Sequence, residues 1–200
     1  IRKAKKKVKK KAKKIKNKTS FISKKILGFD LTNDQKKVLK EINTDLTSQN
    51  KMFRILQGDV GTGKTIVALI SALNVIKSGY QVAFMAPTEI LANQHYSLAK
   101  KIFPSKIQIG LITSKTKLKN KKNTQEKINS GNLDIIFGTH ALFQKKIKFY
   151  KLGFIVIDEQ HKFGVKQRKA LSDKGGDNCD VLLMSATPIP RTLIMSVYGD

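Results

Sequence analysis

The stretch Gly58-Asp59-Val60-Gly61-Thr62-Gly63-Lys64-Thr65 constrains the fold more than any other feature of this 200-residue chain. It has the complete order of glycine, four residues, glycine, lysine and threonine that is typical of a nucleotide-phosphate loop. The apolar run 52–57 before it suits a strand, and the apolar run 66–73 after it suits a buried helix. A glycine-rich turn can match this pattern by chance, but the motif requires this strand, loop and helix context.

The residue types in the loop predict its chemistry. Glycines let the backbone N–H groups turn inward, and the amino end of the following helix adds partial positive charge, so the loop suits polyphosphate oxygens. Lys64 is expected to reach the β- and γ-phosphates. The Thr65 hydroxyl is the expected Mg²⁺ ligand, because this cation prefers oxygen ligands.

The chain is strongly basic, with 40 lysine and arginine residues against 14 aspartate and glutamate residues and a formal net charge of +26. Residues 1–29 carry 14 of the basic side chains and no acidic one, and the rest of the chain is also basic. This excess favours a polyanionic partner, of which nucleic acid is the most general. Because only four of the basic residues are arginines, a biased coding composition is an alternative source of the lysines.

Cysteine and histidine usage indicates an intracellular protein without a metal cage. The single Cys179 cannot form an internal disulfide, and His95, His140 and His161 are too scattered to suggest a metal site with it. The sequence contains no apolar run near ~18 residues and no signal-peptide pattern, so we expect no membrane partner. Because the chain begins at Ile1 without an initiator methionine, we interpret it as a piece of a longer protein.

The amino-terminal segment 1–18 contains 12 basic side chains, and its apolar residues recur at steps of three and four. Such a stripe fits either a solvated linker or a helix that docks on nucleic acid or a neighbouring domain. Repulsion between like charges makes the stability of an isolated helix here marginal.

Further on, Thr32 and Gln35 form a capping-box pattern before a helical apolar face at 38, 39, 42 and 46.

Six apolar runs alternate with helix-like segments: 52–57, 81–86, 108–113, 133–138, 153–158 and 180–185. Near-continuous apolar strands joined by helical crossovers predict an α/β fold with a mainly parallel sheet covered by helices on both faces. In such sheets ligands bind at the carboxyl ends of the strands, and the candidate motifs follow strands.

Two of these strand ends carry candidate nucleic-acid contacts. Pro87-Thr88 follows the second run, and Thr139-His140 follows the fourth. Each pair either only begins a helix or also presents a hydroxyl and helix amides to a backbone phosphate, and their shared sheet edge favours the second role. Between them, 115–122 is interpreted as a lysine-dense loop on the solvated surface, which could also contact DNA nonspecifically.

Paired carboxylates follow the fifth run. Asp158 is expected to hold Mg²⁺, directly or through water, and Glu159 to orient and deprotonate the attacking water. A buried strand can end in Asp-Glu by chance, but less often downstream of an intact phosphate loop.

After the sixth run, Ser185-Ala186-Thr187 either precedes Pro188 as a helix cap or couples nucleotide state to the nucleic-acid surface, and we favour coupling.

Five stretches together resemble the first motor lobe of a superfamily 2 helicase: GDVGTGKT (58–65), APTEILANQH (86–95), GTHALFQ (138–144), VIDEQHKFGVKQR (156–168) and MSATPIPRTL (184–193). Within that superfamily the similarity is closest to bacterial ATP-dependent helicases that remodel branched DNA. It covers about 27–200, which leaves 1–26 as a basic linker or tail.

The resemblance implies a RecA-like P-loop domain, ATP and Mg²⁺ as cofactors, and DNA, probably forked or branched, as the partner in recombination and repair. It implies a cytoplasmic, nucleoid-associated bacterial protein. It assigns Lys64 and Thr65 to Walker A, Asp158 and Glu159 to Walker B, and Gln160, His161 and Ser185-Ala186-Thr187 to coupling. It also offers Gln35 a second role beside capping, which is contact with the adenine edge.

The chain departs from the family pattern in three ways. Lys162 stands where arginine is usual, and Ser114-Lys115 replaces a common Gly-Ser. The second lobe with its arginine fingers and the DNA wedge domain are absent, so we expect Mg-ATP binding with poor hydrolysis by the chain alone. Two alternatives are a transcription-repair coupling translocase and a basic DNA-binding module with a weak nucleotide site.

Overall fold

The computed structural model describes residues 28, 30–116, 118–144, 146–159 and 179–186. Helices and strands alternate along these residues. Their order is α1 (Asn33–Thr47), β1 (Phe53–Gln57), α2 (Lys64–Ile76), β2 (Gln81–Met85), α3 (Glu89–Ile102), β3 (Ile109–Ile112), α4 (Leu118–Asn129), β4 (Ile135–Gly138), a short 3₁₀ helix (His140–Phe143), β5 (Leu152–Ile157) and β6 (Asp180–Ser185).

The six strands form one sheet in the order β1-β6-β5-β2-β4-β3. Every neighbouring pair is parallel, with Gln57 beside Ser185 and Ile157 beside Leu183. All carboxyl ends therefore lie at the same edge of the sheet. The predicted α/β fold with a parallel sheet is confirmed, and each predicted strand is present with bounds shifted by at most two residues.

Helices cover both faces of the sheet, because strand side chains alternate between them. In β2, Val82 and Phe84 face the core that α1, α2 and α3 cover. Ala83 and Met85 face a second core, to which α4 contributes Ile128. Complete burial of one such aliphatic or aromatic side chain stabilises the fold by about 1.5–3 kcal/mol.

Helix α1 is attached to the domain by buried polar contacts as well as by apolar packing. The Arg54 guanidinium on β1 bonds both the Asp45 carboxylate and the Glu41 carboxylate of α1, the latter at 3.0 Å. Nearby, the Asn74 amide of α2 donates to the Asn43 side-chain oxygen at 3.0 Å. These contacts fix the direction of α1, whose amino end lies against the phosphate loop.

The expectation of a lysine-dense loop over 115–122 is wrong in part, because α4 begins at Leu118. Leu118 is 86% exposed, and in the described part of the chain Ile128 is the one buried residue of α4. A helix that buries so little carries no apolar periodicity for sequence analysis to detect.

Several predicted features lie outside the described residues. They are the basic segment 1–26, the coupling residues Gln160 and His161, the Lys162 substitution and Thr187. In the part of the chain that the structure describes, none of the helices has the length and apolar character needed to cross a bilayer.

We predict that Arg54→Ala lowers the free energy of unfolding by about 3–5 kcal/mol, because it leaves the buried Asp45 carboxylate without its cationic partner. Urea unfolding of the variant would measure this loss. The control Lys40→Ala, at an exposed position of α1, should change stability by less than ~0.5 kcal/mol. Similar stabilities for the two variants would contradict the role of Arg54.

Candidate functional site

The phosphate loop joins the end of β1 to the start of α2 at the carboxyl edge of the sheet. Gly61 and Gly63 have φ angles of 86° and 81°, in the left-handed region that glycine adopts without a steric penalty. The Thr62 hydroxyl donates to the Asp59 carbonyl at 2.8 Å, which closes a tight turn. The loop thus has the backbone shape that its glycines predicted.

Lys64 folds back over this turn. Its ammonium group donates to the Gly58 carbonyl at 2.5 Å and to the Asp59 carbonyl at 2.7 Å. An ammonium has three N–H donors, so two carbonyls do not exhaust it. The charge of Lys64 therefore lies at the rim of the loop, where it can bind a phosphate oxygen.

Gln35 connects α1 to the phosphate loop. Its side-chain oxygen accepts from the Thr32 N–H at 3.0 Å, and the Gln35 N–H donates to the Thr32 hydroxyl at 3.2 Å, so the predicted capping box is confirmed. Its amide nitrogen also donates to the Thr62 carbonyl at 3.0 Å, a contact that the sequence did not predict. A side chain added at Gly63 would collide with this amide.

The Asp158 carboxylate lies directly after β5 and is buried. Its Oδ2 atom is 2.7 Å from Nε2 of His95 on α3, and its Oδ1 atom accepts from the Glu159 N–H at 3.0 Å. Sequence analysis missed this role of His95. The sequence did contain one signal that His95 faces the sheet, because Ala92, His95 and Ala99 recur at helical spacing. These three are the buried residues of α3.

Glu159 has a φ angle of 47° and is the non-glycine residue with positive φ in the described part of the chain. Holding such a residue in the left-handed region costs of order 1–3 kcal/mol. Its side chain is partly exposed at the sheet edge. Strain of this kind is typical of functional sites.

The described groups fit a Mg²⁺-nucleotide complex by their chemistry. Thr65 lies in the first turn of α2, Asp158 directly follows β5, and both offer oxygen ligands, which Mg²⁺ prefers together with water and phosphate. Among the described residues, no three His, Cys, Asp or Glu side chains form a metal cluster. The oxygens of Thr65 and Asp158 fit a Mg²⁺ ion that binds together with nucleotide phosphates.

Ser185 lies between the phosphate loop and the carboxylates. Its strand, β6, pairs with β1 on one side and β5 on the other, and the Ser185 carbonyl accepts from the Gly58 N–H at 3.3 Å. Ser185 is buried and Ala186 is partly buried. The structure thus brings the described part of the predicted coupling segment next to the loop.

A second candidate site is a cavity of about 550 Å³ at the ends of β2 and β4. Both predicted nucleic-acid segments line it; the lining residues are Pro87, Thr88, Glu89, Ser114, Lys121, Thr139, His140, Ala141 and Gln144. Thr88 caps α3 by accepting from the Leu91 N–H at 3.3 Å. Thr139 precedes the 3₁₀ helix without a side-chain capping bond.

Glu89 holds one wall of this cavity. Its carboxylate accepts from the Ser114 hydroxyl at 2.6 Å and from the Lys115 N–H at 3.0 Å, while the Lys115 ammonium lies 3.6 Å away. The Ser114 hydrogen bond, followed by that of Lys115, lowers the pKa of Glu89 below its ordinary value of 4.5. Ser114-Lys115 thus forms an ordered turn.

Comparisons with known proteins agree with the fold and the motifs. The family model described as DEAD/DEAH box helicase matches residues 32–195. The chain is 49% identical over 196 residues to the ATP-dependent DNA helicase RecG of Aquifex aeolicus, covering 96% of this chain and 25% of that protein. It is 50% identical to RecG of Bacillus subtilis, covering 88% and 26%.

Solved structures give the same result. A structure of RecG bound to a three-way DNA junction matches with a TM-score of 0.80 and 41% identity, over 96% of this chain and 26% of that one. The DEAD-box helicase Mss116 bound to ssRNA and UDP-BeF matches with a TM-score of 0.72 and 22% identity, which shows the fold alone. The predicted resemblance and RecA-like fold are confirmed. The chain spans about a quarter of the length of the RecG relatives cited above.

We predict that the Lys115 amide resonance titrates with a midpoint below pH 4.5. The ionised Glu89 carboxylate accepts hydrogen bonds better than the protonated form, and its pKa is lowered in the folded chain. The ionised carboxylate therefore stabilises the turn above pH 4.5, and this stabilisation is lost as the pH falls through the lowered pKa. Glu89→Gln should abolish the transition, whereas Glu126→Gln, at an exposed position of α4, should leave it intact. A midpoint at or above 4.5 would contradict the assignment.

Proposed function

Because this chain belongs to the DEAD/DEAH box helicase family, we propose that it is the ATP-binding lobe of a DNA helicase that remodels branched DNA in recombination and repair. The observation that carries this proposal is the common sheet edge of the phosphate loop and the Asp158 carboxylate, with β6 between their strands. The similarity to RecG favours it over a transcription-repair translocase or a module with a weak nucleotide site.

Each group at this edge of the sheet has a proposed role in ATP hydrolysis. The loop amides and the start of α2 hold the phosphates, and Lys64 neutralises charge on the β- and γ-phosphates. Thr65 and Asp158 would hold Mg²⁺, which would balance the negative charge of the phosphates. Glu159 accepts a proton from water as that water attacks the γ-phosphorus and the bond to the β–γ bridging oxygen breaks.

Gln35 is suited to contact adenine without giving up its cap. A glutamine amide has two N–H donors and an oxygen with two lone pairs. Thr32 and Thr62 engage one acceptor site and one donor. One donor and one acceptor suffice for a bidentate contact with the N6 and N7 atoms of adenine.

The cavity at the ends of β2 and β4 is the proposed DNA-backbone site. Thr88 and Thr139 supply hydroxyls, Lys121 supplies positive charge, and Pro87 and His140 complete the two predicted segments. The net charge of +26 favours phosphate binding generally. The RecG relative bound to a three-way DNA junction supports branched DNA as the substrate, and a nucleoid location would follow from that substrate.

We propose that further parts of the protein complete the motor. In this proposal residues 27–200 form the first lobe, residues 1–26 lead to a wedge domain, and a second lobe supplies the arginines that stabilise the transferring phosphoryl group. Such arginines accelerate hydrolysis about 10³- to 10⁵-fold in related nucleotidases. Gln160, His161 and Ser185-Ala186-Thr187 would connect nucleotide state to DNA.

We predict that the 200-residue chain binds Mg-ATP with little turnover, with or without forked DNA. Lys64→Ala should weaken binding about 10- to 100-fold, because a charge-assisted hydrogen bond contributes about 1.5–3 kcal/mol. Calorimetric titration and phosphate release would measure both quantities. Lys101→Ala, at an exposed position near the end of α3, serves as the control.

Equal ATP affinity for wild type and Lys64→Ala would refute the nucleotide site. Robust turnover by the chain alone would instead refute the need for a second lobe, unless the turnover rises with protein concentration through self-association.

We predict that Thr88→Asp weakens binding of forked DNA about tenfold, or ~1.4 kcal/mol, while the stability of the fold is kept. Aspartate caps a helix at least as well as threonine, but its charge repels a backbone phosphate. Thr88→Ser, which keeps the hydroxyl, should bind as wild type. Affinity measured at two salt concentrations and urea unfolding test this, and unchanged binding by Thr88→Asp would leave Thr88 only its capping role.

A further inference from the structure

His95 is a buried histidine with a specific polar partner. Its side chain is 9% exposed, and its Nε2 atom lies 2.7 Å from Oδ2 of Asp158. An ionised carboxylate is only an acceptor, so a hydrogen bond from the imidazole to it requires the proton on Nε2. The imidazole also packs on Phe84 of β2, with ring centroids 4.9 Å apart.

The Asp158 carboxylate is held from two directions. His95 bonds Oδ2, the Glu159 N–H bonds Oδ1 at 3.0 Å, and the Asp158 N–H donates to the Met85 carbonyl at 2.9 Å. A carboxylate has about four lone-pair sites, so two hydrogen bonds leave acceptor capacity for a metal ion or its water. The bonds fix the orientation of the carboxylate before any ligand arrives.

We propose that His95 is a positioning residue that orients the Asp158 carboxylate for Mg²⁺-nucleotide binding. The inference rests on the proposed function of the nucleotide site. Removal of a group that hydrogen-bonds a metal-binding side chain typically lowers metal affinity about 10- to 100-fold. A histidine buried only for packing against Phe84 would support the fold without affecting the magnesium requirement.

The matched variants His95→Gln and His95→Asn test the proposal. Both introduce a side-chain amide, but the glutamine nitrogen extends about as far as Nε2, whereas the asparagine nitrogen extends only as far as Nδ1. We expect the Mg²⁺ concentration that half-saturates binding of a fluorescent ATP analogue to rise about tenfold in His95→Asn and to change little in His95→Gln. Analogue binding in EDTA should be the same in both variants.

Tyr96→Leu is the packing control, because the Tyr96 ring on the same helix packs edge-on against Phe137 with centroids 6.3 Å apart. It should leave the magnesium requirement unchanged. Urea unfolding checks that each variant is folded. An unchanged magnesium requirement in a folded His95→Asn would overturn the proposal.

A measurement on the wild-type chain decides the matter if His95→Asn does not fold. The ¹⁵N resonance of His95 Nε2 should shift when Mg²⁺ is added to the nucleotide complex and stay in place when nucleotide is added in EDTA. No shift with Mg²⁺ would overturn the proposal. Failure of the wild-type chain to bind Mg²⁺-nucleotide at all would instead overturn the proposed function, so the two failures are distinguishable.

Discussion

Backbone hydrogen bonds hold β6 between β1 and β5 in parallel register, and the positions of the candidate groups depend on them. Because the three strands run in the same direction, the phosphate loop, Ser185 and Asp158 emerge at one edge. At the opposite end the buried Asp180 carboxylate accepts from the Met52 N–H at 2.7 Å, which pins β1 to β6. A slip of one residue would turn buried side chains to the other face, so the register is strongly specified.

Helix α1 also holds the phosphate loop in position. Its buried face is anchored by the Arg54 ion pairs and the Asn43–Asn74 hydrogen bond, and its amino end carries Gln35. The Gln35 amide bonds the Thr62 carbonyl within the turn that Lys64 also spans. A loop rich in glycine would otherwise lose much conformational entropy on ordering. Because the loop contacts α1, part of this conformational entropy is already lost when the protein folds.

Sequence analysis located the elements with strong local signals. The six strands and the helix after the phosphate loop are apolar runs of the right length, and the box at Thr32 and Gln35 is a short-range pattern. It failed for the start of α4, which buries little. It did not find the contacts of Gln35 with Thr62 or of His95 with Asp158, because these join residues 27 and 63 positions apart, and no local pattern encodes that distance.

Helix α3 belongs to both candidate sites, and its small side chains explain how. Thr88 and Glu89 at its amino end line the cavity. One to three turns later, the stripe of Ala92, His95 and Ala99 faces the sheet. Alanines on either side of the histidine let the helix approach closely, so one imidazole spans the gap to the strand end. Larger residues at 92 or 99 would lift α3 away and break a hydrogen bond of 2.7 Å, which tolerates little displacement. The cavity wall and the Asp158 carboxylate, the proposed Mg²⁺ ligand, are therefore linked by one helix.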